Sequence, residues 1–150
     1  MTAANHALTG TAIGLVIGQP ILAIPLAFLS HYILDVLPHF ESGQGEKAYS
    51  KKWFHNYLKA EFIFCVLLVA FLAWKQPAYW FLASVCAFIA AAPDLASIKR
   101  FILQKNSKTY KPGRYVRFAS KIQWFEKPIG AFVEVAWAIA MLAIIIPIIF

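Results

Sequence analysis

The sequence predicts an all-α integral membrane bundle of four to five helices with a polar site at the cytoplasmic interface. Three observations carry that expectation. Apolar residues make up 61% of the 150-residue chain, against about 45–50% in soluble domains. Charged residues supply 14%, where about 25% is usual. Apart from Asp35, Lys75 and Glu134, the charges fall in two tracts, 41–61 and 94–127, set between long apolar runs. Such a composition excludes a disordered chain. The length fits a single membrane domain over 1–150.

The elements follow in order. Helix one is expected over 5–18. Its apolar part, Ala7 to Gly18, reaches about 18 Å, and Gln19-Pro20 interrupts it. A second helix over 21–37 adds roughly 25 Å. Each is shorter than the ~20 residues that a ~30 Å hydrocarbon core requires, so the two read as a helical hairpin or a kinked pair. Gly10, Gly14 and Gly18 form a double GxxxG, which lets helix backbones approach closely in lipid. The expected partner is helix two.

Residues 40–57 are polar and form a surface segment. The run 57–74 is a span, Lys75-Gln76-Pro77 a tight turn, and 78–93 the return helix. The basic tract 97–127 interleaves aromatics with cations, and TYKPGRYVRFASKIQWF suits the membrane interface. The last helix occupies 128–149, with Pro147 near its end. Cys65 and Cys86 lie in apolar runs and match neither a CxxC metal spacing nor a disulfide framework. They read as small buried hydrophobes. MTAANHALTG has no lysine or arginine, so a cleaved signal peptide is not expected.

The net charge of +7 admits nucleic-acid binding in principle. Its placement points elsewhere. If helices one and two go down and back, the N-terminus, the 40–57 segment and the 97–127 tract share one side. Every lysine and arginine except Lys75 then lies on that side, which the positive-inside rule makes cytoplasmic. Such cations attract anionic lipid headgroups. The expected partners are therefore membrane lipids, with no nucleic acid.

The same topology gathers ionisable groups. His31 and Asp35, in SHYILDVLPH, are four apart and share one helix face. Pro38 ends the helix near Leu37, leaving His39 just beyond it. His6 stands at the start of helix one and Glu61 about one turn into helix three. Asp94 follows helix four, and Glu134 opens the last helix. Every expected helix thus delivers an ionisable group to a similar depth. Groups of this kind in a membrane segment face a partner or an aqueous cavity. With no cation in the inner set, shared protons or a divalent metal must balance the charge. The metal is the better answer, and zinc suits imidazole with carboxylate, as do manganese and iron.

Blander readings stand beside this one. His31 and Asp35 alone make a buried hydrogen-bonded pair. His6 alone is a helix-start surface residue, and Asp94 after Pro93 a turn. Glu61 and Glu134 alone snorkel to the interface. His55 reads as interfacial, and Glu41, Glu46 and Glu126 as solvent-facing. There is no GxSxG, Walker loop or GxGxxG. Metal-activated water needs none of them, and a spare carboxylate, Asp94 or Glu61, can act as general base.

NHALTG followed by SHYILDVLPH resembles the membrane-bound metal-dependent hydrolases of prokaryotes, small inner-membrane proteins related by motif to zinc-dependent phospholipase C-like domains. The resemblance is best over the first 40 residues and continues weakly through AAAPDL and KIQWFEKPIGAFVE. It implies metal ligands at His6, His31, Asp35 and His39, with Asp94 in the second half. Two positions depart from the family's pattern. Glu61 stands where Asp is usual, and Ala119-Ser120-Lys121 stand where a histidine precedes the Ile-Gln pair.

The expected function is a membrane-bound metal-dependent hydrolase of a phosphoester, such as a phospholipid headgroup. Its metal set is His6, His31, Asp35, His39, Asp94 and Glu134, and its catalytic carboxylates are Asp94 and Glu61. The alternative is a non-catalytic membrane protein whose His/Asp cluster binds a structural metal or a partner; Ala119 at the histidine position favours it. A proton or ion relay is weaker, since the far side offers only Lys75 and Gln76.

Overall fold

The computed structural model describes residues 1–40, 45–105, 111–125 and 127–150. Glu41 and Glu126, expected to face solvent, lie outside the described residues, as does the side chain of Glu46. The fold is all-α, with no strand among the described residues. The helices are α1 (Ala3–Ile17), α2 (Pro20–Val36), α3 (Lys52–Lys75), α4 (Trp80–Ala91), α5 (Ile98–Lys105), α6 (Arg114–Ile122) and α7 (Gly130–Ile149). Short 3₁₀ turns cover Gly45–Ser50 and Ala92–Ser97.

Local chemistry sets these boundaries. The Asn5 N–H donates to Thr2 Oγ1 at the start of α1. Pro20 occupies the first position of α2, where its missing N–H costs nothing. Leu37, before Pro38, is extended at ψ 154° and ends α2. Gln76 and Tyr79, both at positive φ, fold the turn between α3 and α4. Pro93 lies near the start of the 3₁₀ turn that carries α4 into α5, where it cannot supply the N–H that would continue the α-helical ladder.

Three expectations need correction. Counting α4 and α5 as one rod, six helices lie among the described residues, one more than the upper count expected. The addition is α6, inside the basic tract. Its cations lie on one side, Val116 is buried, and Phe118 meets Tyr32 of α2 at a ring separation of 6.0 Å. A nine-residue helix that packs on one face leaves only a weak trace among so many cations. The start of α3 also moves, to Lys52 rather than 57.

The partner of the glycine stripe is α4, not α2. A Cβ at Gly10 would fall on the Cys86 carbonyl, and one at Gly14 on the Ala83 backbone; Gly18 packs against the Tyr79 ring. Ala83, Ala87 and Ala90 present a matching small face on α4. Helix contact through small residues is the usual solution in lipid, but the stripe alone does not name its partner. α1 is the central helix, packed against α2, α3, α4 and α7.

Lys52–Lys75, Trp80–Leu103 and Gly130–Ile149 are each long and apolar enough to cross a membrane. Their outer faces carry exposed large apolar residues, among them Phe62, Phe81 and Phe132. An aqueous surface of that kind is unfavourable; a bilayer accepts it. The chain is accordingly a membrane protein. α1 and α2, at 15 and 17 residues, are shorter.

Candidate metal centre

The i,i+4 spacing in α2 brings His31 Nε2 to 3.3 Å from Asp35 Oδ2. α1 adds His6, whose Nε2 is 3.1 Å from Asp35 Oδ1. The two imidazoles stack at 4.1 Å between centroids. His6, His31 and Asp35 are all buried. The 3₁₀ turn after α4 supplies Asp94, with Oδ1 3.9 Å from His31 Nε2 and the side chain 37% exposed. His6, His31 and Asp94 each offer one ligand atom, and these atoms lie within 4.8 Å of one another.

The imidazole hydrogen bonds decide what the site can hold. His31 Nδ1 is 2.8 Å from the Ala90 carbonyl, and His39 Nδ1 is 2.8 Å from the Leu37 carbonyl. A carbonyl only accepts, so Nδ1 carries the proton in both rings. In a neutral ring that leaves Nε2 with a lone pair, and His31 Nε2 points it at two carboxylates. Like-signed groups in that arrangement call for a proton or a cation between them. An Nδ1–H on a backbone carbonyl is also how metal-ligating histidines are usually oriented. In His6, a donating Nε2–H to Asp35 leaves Nδ1 bare. That atom is buried with no hydrogen-bond partner among the described residues.

Ligand atoms on a tetrahedral ion with bonds near 2 Å lie ~3.4 Å apart. The His31–Asp94 pair at 3.9 Å needs only a small contraction to meet that spacing, and the whole group, within 4.8 Å, needs a larger one. Two imidazoles and a carboxylate are a donor set that suits a divalent ion, and Asp35 faces the Nε2 atoms of both rings.

One expected feature changes. The inner set does contain a cation: the Met1 amine donates to Asp35 Oδ1 at 2.6 Å. Gln123 Nε2 donates to Asp35 Oδ2 at 3.0 Å. Among the described residues, imidazoles and this amine are the only basic groups that pair with Asp35 or Asp94.

The remaining sequence-predicted residues surround this centre without joining the closest ligand group. Glu61 Oε2 accepts the Ala4 N–H at 2.7 Å, near the start of α1, where a carboxylate complements the helix dipole. Glu134 Oε1 accepts the Phe40 N–H at 3.4 Å, and its own carbonyl accepts from Asn5 Nδ2 at 3.1 Å. His39 is placed by backbone bridges: its N–H donates to the Phe125 carbonyl and its carbonyl accepts the Lys127 N–H. All three side chains line the same cavity as His31, Asp35 and Asp94. Cys86 is fully buried, as expected; Cys65 is only partly buried and faces that cavity.

The cavity has a volume of about 1010 Å³. Tyr115 of α6 stands on its wall; burial and a hydrogen bond with Tyr32 push its phenol well above the usual range, so it stays a neutral donor. Sequence reasoning missed Gln123, Tyr115 and Asn5 as neighbours of the site. Only Gln123 left a signal, as part of the Ile-Gln pair.

No family model, curated protein or solved structure matches this chain. The reading of the site rests on its own chemistry.

Proposed function

We propose that the chain is a membrane-bound metal-dependent hydrolase of a phosphoester, with a phospholipid headgroup as the favoured substrate. The observation that carries this reading is the convergence of His6, His31 and Asp94 within 4.8 Å, with His31 and Asp94 lining a large cavity and His6 buried behind it. Zinc is the favoured ion, with manganese and iron as alternatives. When bound, it polarises a phosphoryl oxygen and lowers the pKa of a water.

The protein's own groups have separate tasks. Asp35 orients His6, and the Ala90 carbonyl orients His31. Asp94, the half-buried member of the set, is a ligand or takes the proton of the attacking water; Glu61 on the cavity wall is the second acceptor for it. Lys59 and Arg100 also line the cavity and draw in an anionic phosphate. The cation-rich side is the cytoplasmic side by the positive-inside rule, and the membrane proposed is a prokaryotic inner membrane. Purified protein with saturating Zn²⁺ or Mn²⁺ is expected to cleave phospholipids or simple phosphodiesters. Leaving both intact contradicts the proposal.

One observation favours a second reading. The Met1 amine and Gln123 satisfy Asp35 without an ion. On that basis the cluster is a non-catalytic polar core, or a structural metal site, joining α1 to α2 and the chain before α7. A protein that binds metal stoichiometrically yet cleaves neither class of ester belongs here.

A further inference from the structure

The cavity does not end at the ionisable groups. α3 and α4 are joined at one end by the turn 76–79, and toward the other end the cavity lies between them. Cys65, Val66 and Val69 line it from α3, and Ala87, Phe88 and Ala91 from α4. Glu61, Cys65 and Val69 repeat every four residues and so share a helix face. At 1.5 Å per residue, Val69 is about 12 Å beyond Glu61 along α3, and Phe88 about 9 Å beyond Asp94 along the helical rod. Both displacements run away from the cation-rich side. A polar chamber thus continues as an apolar slot into the span.

The slot is open laterally. Phe62, Val66 and Phe88 line it and are 68%, 50% and 62% exposed. These residues belong to helices that can cross a membrane, so the opening meets acyl chains rather than water. Lys59 and Arg100 stand at the polar end, where an anionic headgroup would rest.

We infer that this slot admits one acyl chain of an anionic membrane lipid, which enters sideways from the bilayer with its phosphate toward the His/Asp centre. The inference deepens the hydrolase proposal and rests on it for the fate of the phosphate. The seating of the chain rests on the cavity alone. Charge and shape select this occupant: one end is basic and polar, and the other is apolar and open to hydrocarbon. A second copy of the chain would have to insert the bulk of a whole helix, about 10–12 Å across, between α3 and α4, which pack against each other.

The test is photolabelling of the full-length protein in phosphatidylglycerol vesicles doped with a phosphatidylglycerol carrying a mid-chain diazirine, mapped by peptide mass spectrometry. Labelling is expected to be several-fold higher at Cys65, Val66 and Val69 than at Phe132 and Ile139, on the outer face of α7. Val66→Trp is expected to remove the excess and leave α7 labelling unchanged. Even labelling of both faces, slot labelling that survives Val66→Trp, or crosslinks between two protein copies at the slot would overturn the inference. Slot labelling without phosphodiester cleavage keeps it and removes the hydrolase reading. Cleavage of a water-soluble diester with an unlabelled slot does the reverse.

Discussion

α1 carries Asn5, His6, Thr9 and Thr11, all buried, at the centre of the bundle. α7 is longer and almost wholly apolar, yet Phe132, Val135 and Ile139 point outward. In water the assignment would be reversed, because apolar burial drives folding there. Lipid removes that drive, so packing of small residues and hydrogen bonds between polar groups hold the centre. The difference teaches where stability and function coincide. The helix that makes the closest backbone contacts also delivers His6 and, through its first turn, holds Glu61.

This contrast can be broken from its strongest point outward. Asp35→Ala is expected to cause the largest loss. It strands the Met1 amine and two imidazoles in a buried site, and breaking a buried ion pair costs about 3–5 kcal/mol. Unfolding in a mild detergent measures it. Gly14→Ala comes next, because its Cβ would meet the Ala83 backbone; overpacking of this kind costs about 1–3 kcal/mol. A smaller effect of opposite sign is expected for Thr11→Val. Thr11 Oγ1 is buried with no partner among the described residues, so an apolar replacement should be neutral or stabilise by about 1 kcal/mol. Phe132→Ala on the outer face of α7, where Phe132 is 78% exposed, should change stability by no more than about 0.5 kcal/mol. Equal losses at Gly14 and Phe132 would erase the distinction between centre and periphery.

The sequence showed some of this and hid the rest for identifiable reasons. The spans are legible because a bilayer demands long apolar runs, and α3, the Trp80–Leu103 rod and α7 meet that demand. His31 and Asp35 are legible because a helix converts a four-residue spacing into contact. His6 and Asp94 follow once topology places helix ends on one side. Partner choice does not follow. Gly10 and Gly14 announce a close contact without saying that α4 receives it. Gln123 and the Met1 amine reach Asp35 from segments far away in sequence, and no periodicity encodes such an approach. α6 is hidden for another reason: its nine residues sit in a tract whose cations dominate the pattern.

The account turns on whether His6, His31, Asp35 and Asp94 hold an ion. Elemental analysis of the purified protein, beside a His31→Ala/Asp35→Ala double variant shown to be folded by circular dichroism, tests this most directly. One or two equivalents of a transition metal in the natural protein, absent from the variant, is the predicted result. A natural protein that takes up no metal even after reconstitution would contradict the account, and Met1 and Gln123 would then complete a metal-free polar core.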